Sequence, residues 1–121
     1  MGYYTSIEQS KKLLELGLNP ETADMHYDHT FAYSVGTMDF VAIGKPYKDG
    51  QLACWTIGAL LTLMCDHITL NKQVYFLNIM KINTCWCVTY ETKTHNCRKF
   101  EGELIEAVYN MIFWLLENKI I

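Results

Sequence analysis

The chain has 121 residues, half of them apolar and 19% charged, a formal net charge of −3 and a pI near 5.7. That is the length of one ordinary domain, long enough to bury a core without staples. The negative balance and scattered basic residues exclude the clustered Lys and Arg surface that nucleic acid requires, and the longest apolar run, within 53–65, is too short to span a bilayer.

The opening MGYYTSIEQSKK lacks a basic stretch followed by an apolar run, so no export signal is expected. Thr5-Ser6-Ile7-Glu8 has the form of a capping box and predicts a helix of about three turns. Gly17 stands where a left-handed cap is wanted, with Leu18 able to fold back onto the last turn. Asn19 and Pro20 predict one further helical turn, Asn19 as its cap. Beyond Met25 the pattern turns aromatic and β-branched, and strands are expected at 31–35 and 38–43. Turn chemistry marks 45–50 as a loop. Trp55, Leu60, Leu61, Leu63 and Met64 mark a central helix, followed by a loop at 67–71. Residues 73–82 are apolar on both faces and predict a central strand. Strands at 85–90 and 96–100 then form a hairpin.

The last predicted helix, 103–118, has Ile105, Val108, Ile112, Leu115 and Leu116 as its core face. Tyr109, Phe113 and Trp114 widen its apolar side beyond a normal stripe and are expected to form a self-association or partner surface. The count of 3 Trp, 8 Tyr and 5 Phe points the same way, being more aromatic surface than one small core hides. The expected architecture is a single α+β domain over 1–121. A mostly antiparallel sheet of three to five strands packs with N-terminal, central and C-terminal helices.

The opening IEQSKKLLELGLNPETADM, the middle ACWTIGALLTLM and the closing EAVYNMIFWLLENKII together resemble a group of short proteins with no assigned activity. They are encoded by gut Bacteroides-type bacteria and by their phages and mobile elements. Members carry an IEQS-x-KL start running into TADM, a Trp-Ser/Thr-x-x-ALL middle and a C-terminal helix. The cysteine-rich hairpin and the very apolar last helix of this chain depart from that pattern. The resemblance implies a single α+β domain of bacterial or phage origin and brings no catalytic residue with it.

Two clusters could carry chemistry. The first is CWCVTYETKTHNC, where Cys85, Cys87, His95 and Cys97 are the ligand types of a zinc site. Structural zinc commonly has about two to four residues between paired cysteines, and Cys-x-Cys has one. Register decides whether the four meet. A two-residue loop at 92–93 puts Glu91 opposite Thr94 and divides the four between the two faces of the sheet. A three-residue loop at 92–94 puts Glu91 opposite His95 and gathers all four on one face. The apolar alternation of Trp86, Val88 and Tyr90 fits both. The second cluster is ADMHYDHT, with Asp24, His26, Asp28 and His29. A hydrolase or transferase would find its centre there, but the alternating Met25, Tyr27 and Phe31 argue for an extended path that points the histidines apart. Cys54 and Cys65 read as packing residues.

Five cysteines without an export signal read as free thiols in the reducing cytoplasm. No phosphate-cradling glycine loop and no nucleophile–base signature is present. The expectation is therefore a small non-enzymatic cytoplasmic protein, without a cofactor, that acts through protein–protein interaction or self-association. The alternative is a small zinc-binding protein using the hairpin.

Overall fold

In the computed structural model the described residues are 2–32 and 36–121, with side chains described at all of them except 29–32 and 36–39. The elements in chain order are α1 (Ile7–Glu15), a 3₁₀ turn (Pro20–Thr22), β1 (Met25–Ala32), β2 (Gly36–Ile43), β3 (Leu52–Cys54), α2 (Ile57–Leu63), β4 (His67–Leu70), β5 (Gln73–Ile82), β6 (Cys85–Glu91), β7 (Asn96–Gly102) and α3 (Leu104–Glu117). The class is α+β, as expected, and every strand pairing is antiparallel. The strands form two sheets, of order β2-β1-β3 and β4-β5-β6-β7. The chain divides into two compact units, 2–59 and 60–121.

In the first unit the capping box is real but lies one residue later than the sequence suggests. Ser6 accepts from the Gln9 amide at 3.1 Å, and the Gln9 side chain accepts from the Ser6 amide at 2.9 Å. Thr5 is drawn inward instead. Fully buried, it accepts from the Trp55 amide at 3.1 Å, and its hydroxyl lies 2.8 Å from that of Ser10. The end of α1 follows expectation. Gly17 takes φ +95°, its amide bonds the Leu14 carbonyl and the Leu18 amide bonds that of Leu13, which closes the helix with Leu18 buried. Asn19 caps the 3₁₀ turn through its side-chain oxygen.

β1 begins at Met25, so the ADMHYDHT segment is a strand for most of its length. β2 covers the expected strand at 38–43. Of the strand expected at 31–35, residues 33–35 lie outside the described residues. Residues 52–54 form the short strand β3 on β1, and α2 starts only at Ile57, beyond Trp55.

In the second unit the expected loop at 67–71 is largely strand. β4 pairs with β5 through a two-residue turn, Asn71-Lys72, with both central residues at positive φ. His67-Ile68-Thr69-Leu70 does alternate polar and apolar, the mark of a half-buried strand, although only for four residues. α3 lies against β6 and β7, and its buried Ile105, Val108, Met111, Ile112 and Leu115 form the core of this unit with Val88 and Tyr90. Its end repeats the closure of α1 without a glycine. Lys119 sits at φ 56°, and the Ile120 amide reaches the Leu115 carbonyl at 2.9 Å.

Candidate functional site

The hairpin settles its register in neither of the two expected ways. Glu91 stands opposite Asn96, leaving the four residues Thr92 to His95 in the loop. The register shifts between Tyr90 and Glu91, since Tyr90 pairs with Arg98 and Cys97 is the extra residue of a bulge. The loop is held by its own threonines: the Thr92 amide donates to the His95 carbonyl at 2.7 Å, and the Thr94 and His95 amides donate to the Thr92 hydroxyl. Beyond the bulge, Cys87 pairs with Glu101 and Thr89 with Lys99.

The four candidate zinc ligands do not converge. Cys97 lies beside Tyr90 and Glu91, three residues or more along the strand from Cys87, which is about 10 Å. Cys85 is further still. His95 is engaged within the loop, with Nδ1 3.1 and 3.0 Å from the Thr92 and Thr94 hydroxyls and Nε2 3.4 Å from the Tyr75 hydroxyl. Among the described residues no group of three or more Cys, His, Asp or Glu side chains could hold a metal. Burial pushes the Cys97 thiol above its ordinary pKa, away from the thiolate that a metal requires.

The histidines of the second cluster give no centre either. His26 is buried, and its Nδ1–H donates to the Gly44 carbonyl at 2.7 Å. Asp28 accepts from the Gln51 side chain at 3.3 Å. The side chain of His29 lies outside the described residues. On α3, Tyr109 is buried while Phe113 and Trp114 are half-buried, and the Tyr109 and Phe113 rings stand 6.0 Å apart.

The exposed apolar surface of the second unit lies elsewhere. Side chains alternate along a strand, so the pairings sort the four-stranded sheet into two faces. One carries Ile68, Leu77, Ile79, Trp86, Val88, Tyr90 and Phe100. Val88 and Tyr90 are fully buried there, and the Tyr90 hydroxyl donates to the Cys65 carbonyl at 2.7 Å. At its rim Lys81 lies over the Trp86 ring and Arg98 over the Phe100 ring.

The opposite face carries Val74, Phe76, Asn78, Met80 and Ile82 along β5, flanked by His67 and Thr69 on β4 and by Cys85, Cys87, Thr89 and Glu91 on β6. Val74, Phe76, Met80 and Ile82 are 38, 59, 44 and 52% exposed. Among the described residues of this unit, only Ile121 joins them as an exposed large apolar side chain. Cys87 and Thr89 are buried as small residues flanked by longer ones: Met80 and Asn78 on β5, Glu101 and Lys99 on β7.

A polar cluster interrupts the stripe at its middle. The Glu91 carboxylate accepts from the Asn78 amide at 3.3 Å and from the Thr89 hydroxyl. A depression of about 470 Å³ opens beside it, lined by Val74, Phe76, Asn78, Glu91, Thr92 and Lys93 among others. At the outer edge Lys99 and Glu101 form an ion pair at 2.9 Å, which raises the Lys99 pKa.

The central strand is found where the sequence places it, and the exposure of one of its faces is what sequence reasoning misses. Apolar residues on both faces suggest burial on both faces, and β5 is indeed an internal strand. The signal against burial lies in its neighbours. His67, Thr69, Thr89, Glu91, Lys99 and Glu101 all fall on the face of Phe76 and Met80, and a core face would not be polar on three strands of four.

No family model matches the chain, and no curated protein and no solved structure matches it. Fold and site together define an α+β protein whose second unit presents an apolar-striped sheet face.

Proposed function

We propose that this chain is a small non-enzymatic protein that works by protein–protein association, and that the β5 side of its four-stranded sheet is the surface it uses. The observation that supports this reading is the row of four large apolar side chains exposed on alternate positions of an internal strand. Fully burying side chains of this kind stabilises by about 1.5–3 kcal/mol each, and these are near half exposed, so covering the row would contribute roughly 3–6 kcal/mol. Soluble folds seldom leave such a row to water unless a partner covers it. Phe113 and Trp114, half-buried on α3, offer less surface than β5. The setting is a reducing compartment such as the cytoplasm, where the five free cysteines persist as thiols. Among the described residues no helix is long and apolar enough to cross a membrane.

The doubly substituted chain Phe76→Ser, Met80→Ser tests the reading. Its melting temperature is expected to stay within about 3 °C of the parent, because surface substitutions seldom change stability by more than ~0.5 kcal/mol. The native size of the protein in extracts of the cells that express it is expected to fall to that of the free chain. A collapse in melting temperature would make these residues core, and an unchanged native size would place association elsewhere.

A further inference from the structure

We infer that Cys85, Cys87 and Met80 form a three-sulfur site for a soft monovalent metal ion, cuprous copper. The inference does not depend on the association reading, although the site lies at the Ile82 end of the same sheet face. Cys85 and Cys87 are two residues apart on β6 and so share that face, with Cβ atoms about 6.5–7 Å apart. Met80 stands directly opposite Cys87 on β5. Facing residues have Cβ atoms about 4.5–5.5 Å apart, and the diagonal from Met80 to Cys85 is about 7–8 Å. Two metal–sulfur bonds of about 2.3 Å and two Cβ–S bonds make a path of roughly 8 Å, so both thiolates reach one ion held between them. The longer, unbranched Met80 side chain brings its thioether to the same point from β5.

The same spacing opposes a disulfide between the two cysteines, which needs Cβ atoms about 3.5–4.5 Å apart, and both are free thiols. The donor set then selects the ion. Among the described residues no group of three or more Cys, His, Asp or Glu side chains could hold a metal. The thiolates therefore lack the further ligands of those types that four-coordinate zinc requires. Thiolate and thioether sulfur suit cuprous copper, which two or three such ligands hold. Glu101 faces Cys87 from β7, but its carboxylate is engaged by Lys99 at 2.9 Å. Cys87 is buried beside Met80, while Cys85 is exposed and gives the ion an entry from solvent. Binding exchanges two thiol protons, released to water, for one Cu(I), with no change of oxidation state.

The experiment titrates the full, reduced chain, without oxygen, against Cu(I) held by the chromophoric chelator bicinchoninate. The parent is expected to withdraw about one ion per chain, and X-ray absorption of the loaded protein to show sulfur as its ligand. Cys85→Ser, at an exposed position, and Cys87→Ser are each expected to abolish the withdrawal, with circular dichroism confirming that the buried position still folds. Met80→Leu is expected to keep the stoichiometry and lower the affinity about tenfold. Cys65→Ser and Cys97→Ser, outside the site, are expected to change nothing. A parent that withdraws no copper overturns the inference. So does a withdrawal that survives Cys85→Ser, or one that is lost in Cys65→Ser or Cys97→Ser. An unchanged affinity in Met80→Leu would remove the thioether and with it the three-sulfur site.

Discussion

Burial of ionisable side chains ties the stability of this protein to alkaline pH. Burial pushes the thiols of Cys54 and Cys97 and the phenols of Tyr90 and Tyr109 above their ordinary pKa values, Tyr90 most strongly. Cys65, Asp66 and Cys97 add to the effect at Tyr90. The folded chain therefore holds protons that the unfolded chain releases at about pH 8.5–10. From about pH 8.5 upward the folded state binds more protons than the unfolded one, so stability falls as pH rises; below that the contribution is fully present. Urea midpoints are expected to be level from about pH 7 to about 8.5 and to drop beyond. Tyr90→Phe should lower the neutral-pH stability by about 1 kcal/mol through loss of the bond to the Cys65 carbonyl, and should make the alkaline drop shallower. An equally steep drop in that variant would contradict this origin of the pH dependence. At this scale the sequence is partly legible. Gly17 announces its left-handed cap, whereas Lys119 closes α3 in the same geometry with a residue that carries no such signal.

At the scale of elements, helices are easier to anticipate than strands because their ends carry chemistry. The cap of α1 shifts by one residue because Thr5 has a better use, bonding the Trp55 amide inside the unit. Of the short strands, β3 gives no period to read and β4 alternates for only four residues, and the hairpin register depends on a four-residue loop and a bulge that no pattern of apolar residues dictates. The structure also ties together two segments that lie far apart in the sequence. Thr22 accepts from the Trp55 indole at 2.9 Å, while Asp24 accepts from the Thr56 amide at 2.9 Å and from the Thr56 hydroxyl. The segment ETADM thus holds the segment CWT at the start of α2, where Thr56 in turn accepts from the Ala59 amide. Asp24→Ala breaks this junction and should cost about 1–3 kcal/mol by urea denaturation, with Asp24→Asn recovering part of it. No loss with alanine would mean the junction is incidental.

For the molecule as a whole, the α+β class and the three helices can be read from the sequence, but the division of the strands cannot. Two sheets arise because β1 recruits β2 and β3 while β5 recruits β4 and β6, and long-range pairing leaves little trace in local composition. The candidate surface is hidden for a related reason. An apolar residue at an even position of β5 looks the same whether a helix, a second copy or water lies above it, and only the polar neighbours on β4, β6 and β7 tell the cases apart. The surplus of aromatic residues directs attention to α3, whereas among the described residues of the second unit the exposed apolar row lies on β5. The most direct measurement replaces Phe76 with a photo-reactive phenylalanine analogue in the cells that express the protein, with the same replacement at exposed Lys11 on α1 as control. Association through β5 predicts a discrete cross-linked species from position 76 that is absent from position 11 and is lost when Met80→Ser is added. No cross-link from position 76, or the same products from both positions, would contradict it.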